Sequence, residues 1–191
     1  MVHADSSNFK ADVTKEEAYK QVLEQAELLL DGQRNWVWYA LSCFVSESRG
    51  YKESNTANLT SLLWHAYKSL PSPSRDVNWA GFYVLDHLAK EQLILGPFQG
   101  KVACQTIKFG RGVCGTAAAK KETMLVEDVE EFPGHIACDG DSRSEIVVPI
   151  IVDGKTVAII DVDCAVVNGF DAVDKSALED LAALIGKACD W

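Results

Sequence analysis

Apolar positions recur every three or four residues at both ends of the chain, and between them the spacing falls to two. Thr14-Lys15-Glu16-Glu17 has the form of a capping box, and Ala18, Val22, Ala26, Leu29 and Leu30 follow at helical spacing until Gly32. This predicts an amphipathic helix. Ala57 to Leu70 repeats the pattern through Leu59, Leu62, Leu63, Ala66 and Tyr67, and Pro71 and Pro73 end it, since proline cannot continue a helix. A last helix is predicted from Asp171 to about Lys187, with Ala177, Leu178, Leu181, Leu184 and Ile185 on one face. Between the first two helices WVWYALSCFVSESRGYKESNT carries neither period, and no element is assigned to it.

From Asn78 the pattern is that of strands. NWAGFYVLDHL, QLILGPFQG and KVACQTIKF are β-branched or aromatic in part and separated by turn residues, which predicts an antiparallel meander. GRGVCGTAAAKKE reads as a glycine turn opening into a short helix, TMLVEDV as a further strand, and EEFPGHIACDGDS as a long surface loop. SEIVVPIIV and TVAIIDVDC are joined by Asp153-Gly154, a hairpin turn in which both positions favour φ > 0. Hairpins outnumber βαβ units. The expected fold is α+β, a central antiparallel sheet with the N- and C-terminal helices packed on one face. Residues 1–13 are expected to be flexible and 14–191 to form one domain.

At 191 residues, 48% hydrophobic and 24% charged, the chain suits a single well-buried core. The net charge is -10 and Lys/Arg are scattered, which disfavours nucleic-acid and anionic-membrane partners, because both need a basic footprint. With neither a leader-like start nor an apolar run of the ~20 residues that span a bilayer, a cytoplasmic protein is expected, with the nucleus also open to it. Six cysteines are many for a reducing compartment, where they serve catalysis or metal binding more often than disulfide frameworks.

Gly110-Arg111-Gly112-Val113-Cys114-Gly115 matches GxGxxG, with Asp128 downstream. A dinucleotide site would also need a parallel crossover, whereas the flanking strands read as antiparallel. The plainer reading is a tight turn that places Cys114 at a helix N-terminus, where the dipole favours thiolate. Cys104, Cys114, Cys138 and His135 offer four zinc ligands, but without the close C-x2-C pair of structural sites; neither a metal nor a cofactor is expected. Cys138 lies in a polar loop where a buried structural thiol would be out of place, which makes it the candidate nucleophile. Its neighbours Asp139, Asp141 and Glu145 would raise its pKa unless Arg143 or a cationic substrate offsets them. Asp161 and Asp163 are two apart on a strand and share a face. They read either as a cation- or proton-holding pair or as an ordinary solvated face. Cys104 is placed within a strand, and Cys43, Cys164 and Cys189 are given no role.

NWAGFY (78–83), LGPFQGKVACQ (95–105), GRGVCGTAA (110–118), PGHIACDGDSRSEIVVPI (133–150) and IDVDC (160–164) together resemble the GAF-domain free methionine-(R)-sulfoxide reductases. The resemblance implies thiol-dependent reduction of free methionine (R)-sulfoxide in a homodimer recycled by thioredoxin. By it Cys138 is the nucleophile, Cys104 the resolving cysteine and Cys114 an auxiliary one. Glu145, Asp161 and Asp163 bind substrate and protonate its oxygen, and Trp79 and Tyr83 line the pocket. The alternative is a non-catalytic GAF module that binds a small ligand. The segment at about 38–56 is an insertion relative to the family pattern, which a surface loop tolerates at modest closure entropy. The segment is either a genuine insertion, an apolar, cysteine-bearing loop near the N-terminal helices, or an unremoved intron, a hypothesis that mature transcripts retaining the segment would overturn.

Overall fold

The computed structural model describes residues 9, 13–31, 55–86, 88, 89, 91–136 and 139–191. Four helices, α1 (Lys15–Leu30), α2 (Asn55–Ser69), α3 (Gly112–Lys120) and α4 (Ala172–Ala188), accompany six strands among these residues. The strands are β1 (Val77–Leu85), β2 (Gln92–Gly100), β3 (Thr106–Lys108), β4 (Met124–Val126), β5 (Ser144–Val152) and β6 (Lys155–Cys164). They form one sheet in the order β3-β2-β1-β6-β5-β4, with every neighbouring pair antiparallel.

Local chemistry sets the ends of these elements. Thr14 and Glu17 complete the predicted capping box of α1, and Asp171 with Asp174 makes another at α4. Asp153 and Gly154 turn the β5–β6 hairpin with φ of 49° and 72°, as the dipeptide predicted. Asn55 and Thr56, inside the stretch left unassigned, are buried residues of the first turn of α2. The rest of that stretch, Cys43 included, lies outside the described residues, as does most of 1–13, although Phe9 packs against the core.

The sheet has two dissimilar faces. Ala80, Phe82 and Val84 of β1, Ile146, Val148 and Ile150 of β5, and Ile160 and Val162 of β6 meet α1, α2 and α4 in the larger core. On the other face Trp79, Tyr83, Val147 and Ile159 meet α3 in a smaller cluster. Alternation along each strand assigns every residue to one side, so the acids of β6 lie under α3.

One strand is shorter than its sequence suggested. KVACQTIKF pairs with β2 only through Thr106–Lys108, and Cys104 lies in the connector that precedes it rather than in the strand. Pro97 has no N–H to offer a ladder, and the β1–β2 register shifts between Gly81 and Tyr83.

Candidate active site

Asp161 faces Gly81 and Val147 across its two neighbouring strands, and Asp163 faces Trp79 and Glu145. Three carboxyls therefore gather on the α3 side at the middle of the sheet. Asp161 is 6% exposed and Glu145 5%, so the solvated-face reading of these positions does not hold. Burial pushes all three acids up. Asp161 is raised to about 7. Glu145 and Asp163 are raised well above the carboxylate range, by burial first and then by the charge of Asp161. Burial thus favours the protonated form of each acid.

Cys114 closes the group from above. Gly112, at φ 62°, starts α3, and Gly115 lies so near β3 that a Cβ there would sit 2.2 Å from the Lys108 carbonyl oxygen. The glycines of the GxGxxG match thus allow close packing of helix on strand, and β3 and β4 at either end of α3 are the opposite edges of one antiparallel sheet. The unit is not a dinucleotide-binding crossover. The Cys114 thiol donates to Glu145 Oε1 at 3.5 Å. Burial and then the charges of Asp161 and Glu145 push the thiol well up. The helix N-terminus was expected to favour its thiolate, and the buried carboxyls outweigh that dipole.

A cavity of about 290 Å³ opens on this group, lined by Cys104, Cys114, Glu145, Asp161 and Asp163, by Val113 at the start of α3, and by Lys108 and Arg111. That is near the lower end of ordinary ligand pockets, roughly 300–1,000 Å³. His135 also lines it, 3.9 Å from Glu145 Oε2. Burial lowers the imidazole while the Glu145 carboxyl is held up, so this contact is not an ion pair. Asp161 Oδ1 is buried without a hydrogen-bond partner.

An ion-pair clasp spans the outer rim. Lys101 donates to Asp139 at 3.3 Å and also pairs with Asp141. Asn78 Nδ2 donates to Asp139 Oδ2 at 3.2 Å and to Ser142 Oγ at 3.0 Å. The Asp141 N–H, Lys101 and Asn78 together hold the Asp139 carboxyl below its ordinary value. Lys101 takes the part expected of Arg143, whose guanidinium instead approaches Asp128 at 3.5 Å and Glu130 at 4.0 Å.

The GAF domain model matches residues 13–190 of the chain. The free methionine-R-sulfoxide reductase of Saccharomyces cerevisiae is 55% identical over 188 residues, covering 98% of this chain and 94% of that protein. The chain is a GAF domain of the free methionine-(R)-sulfoxide reductase family. The Neisseria meningitidis enzyme of that name, solved with its substrate, superposes on this GAF domain with a TM-score of 0.78 at 36% identity, covering 95% of each chain. A structure described as that of the GAF domain matches with a TM-score of 0.86 at 53% identity, over 100% of this chain and 98% of the other.

Within this GAF domain the structure brings five of the residues singled out from sequence to one place. Cys104, Cys114, Glu145, Asp161 and Asp163 all line one cavity. Cys138 lies outside the described residues; Ile136 and Asp139, before and after it in the chain, both line the cavity. Trp79 and Tyr83, expected at the pocket wall, are not among its lining residues. They stack with ring centroids 5.8 Å apart, Trp79 lies against Phe98 at 5.3 Å, and both belong to the smaller core. The Trp79 Nε1–H donates to the Lys101 carbonyl at 3.1 Å, so the indole supports the segment that carries the clasp. Sequence reasoning missed Lys101, whose partners lie 38 and 40 residues away without any local signal.

Proposed function

We propose that this chain reduces free L-methionine (R)-sulfoxide to L-methionine with its own thiols. The observation that carries the reading is a small cavity that joins two thiols, Cys104 and Cys114, to three carboxyls whose pKa values burial raises. The substrate's ammonium finds the acids of β5 and β6. Its carboxylate finds Arg111 and the backbone N–H groups at the start of α3, where the helix dipole favours an anion. A methionine inside a polypeptide lacks both charges and so loses both contacts.

The Cys138 thiolate attacks the substrate sulfur while a cluster acid protonates the sulfoxide oxygen. The oxygen then passes from one sulfur to the other: a Cys138 S–O bond forms as the substrate S–O bond and the S–S bond made in the attack break, methionine leaves, and Cys138 carries the oxygen as sulfenic acid. The substrate sulfur has gained two electrons and the cysteine sulfur has lost them. The Cys104 thiol then displaces hydroxide, which leaves as water, and a Cys104–Cys138 disulfide forms. A dithiol protein of the thioredoxin class restores the two thiols by exchange. The working unit is a homodimer.

Turnover of the R and S epimers with dithiothreitol tests this directly. The R epimer should be consumed, the S epimer left, and the activity lost in Cys138→Ser. The competing reading, a ligand-binding GAF module without chemistry, predicts that thiol titration finds no loss after substrate. The enzyme should lose two thiols per chain when no external reductant is present.

A further inference from the structure

Cys114 Sγ, a Glu145 oxygen and an Asp161 oxygen all lie within 4.8 Å of one another, and all three residues are buried. In a tetrahedral zinc site, with Zn–S near 2.3 Å and Zn–O near 2.0 Å, neighbouring sulfur and oxygen ligands stand about 3.5 Å apart. Cys114 Sγ and Glu145 Oε1 are 3.5 Å apart. The two edges to the Asp161 oxygen are no longer than 4.8 Å.

A second observation points to a ligand independently of that spacing. Asp161 is 6% exposed and lines the cavity, and although Cys114 and Glu145 hydrogen-bond to its carboxyl, its Oδ1 has no partner. A buried acceptor left unmade is costly, and a cation bound there would satisfy it. A substrate ammonium would serve the oxygens equally well, but it gains little from a sulfur, which is a weak acceptor. A zinc-class ion gains most from the sulfur. Cys114 therefore distinguishes the two occupants.

We propose that Cys114, Glu145 and Asp161 form a site for a thiophilic divalent cation of the zinc class, whose binding excludes the amino-acid substrate. The site has three protein ligands and a fourth position facing the cavity, the arrangement of an exchangeable metal rather than a closed structural one. It differs from the Cys104, Cys114, Cys138 and His135 set weighed from sequence. The mutual exclusion rests on the reductase reading, because both occupants use the same carboxyls; the metal site itself does not.

The test removes the competing thiols at the cavity and needs no turnover. In pre-reduced Cys104→Ser/Cys138→Ser protein, titration with Co²⁺ should give one bound ion with a near-ultraviolet thiolate-to-metal band. Adding Cys114→Ser should abolish the band, and adding Asp161→Asn should weaken Zn²⁺ binding at least tenfold by calorimetry. Circular dichroism of each variant confirms that it is folded. L-Methionine should raise the apparent Zn²⁺ dissociation constant in proportion to its concentration. No band in the double variant, or a band that survives Cys114→Ser, overturns the site. Metal binding that ignores L-methionine overturns the exclusion and leaves the site standing.

Discussion

At the scale of single residues the proposed chemistry turns on Asp161, an acid that burial raises to about 7. A group that loses its proton near neutrality is matched to giving one up in a reaction at that pH. Asp161→Asn keeps the shape and removes the acid, and it should cost roughly 10²–10⁴-fold in kcat/KM for the R epimer. The same substitution should stabilise the ligand-free protein above neutrality. Between its ordinary value of 3.8 and about 7, Asp161 binds more protons folded than unfolded, so stability falls as pH rises through that window. Each unit of the shift is worth about 1.4 kcal/mol. Glu145 and Asp163 are raised and act in the same sense, whereas the lowered imidazole of His135 opposes them below its ordinary value. Thermal melts should therefore show wild type losing stability from pH 5 to pH 8 and Asp161→Asn losing less. If the two curves run parallel, the carboxyl cluster is not strained.

At the scale of elements, α3 holds the site together because it lies unusually close to β3. A methyl group at Gly115 would meet the Lys108 carbonyl oxygen, and that atom cannot move without the strand. Gly115→Ala should lift the helix and cost about 1–3 kcal/mol, as overpacked sites do. It should also open the Cys114 thiol to a chromogenic disulfide reagent that the folded wild type excludes. Gly140→Ala, with nothing within 4 Å of its added carbon, should change neither property. The sequence made most such elements legible, because their signals are local. A capping box, a two-residue turn and the alternation of Ile160, Asp161, Val162 and Asp163 each state their outcome within a few residues. The misreadings at Cys104 and Cys114, and the missed Lys101, share a different origin. Where β3 begins depends on what β2 offers it, the state of the Cys114 thiol depends on acids 31 residues and more away, and Asp139 is paired by a lysine from another loop. None of these partners leaves a mark in its neighbour's sequence.

At the scale of the molecule the sheet separates stability from chemistry. On the face of α1, α2 and α4, Asp174 is fully buried. It accepts from Tyr19 Oη at 2.8 Å, from Lys15 Nζ at 2.6 Å and from the Asp171 N–H at 2.8 Å. Tyr19 is in turn hydrogen-bonded to Tyr67 of α2. One carboxylate thus ties three helices together. Asp174→Ala takes a buried acceptor from Tyr19 and leaves Lys15 with Asp171 alone, which should cost about 1–3 kcal/mol, a fall in Tm of several degrees for a chain of this size. The carboxyls of the cavity face the opposite side of the sheet, so kcat and the two-thiol stoichiometry, measured well below the transition, should stay at their wild-type values. A variant that melted early and also lost turnover at low temperature would show that the helical face bears on the chemistry, and the division of labour between the two faces would fall.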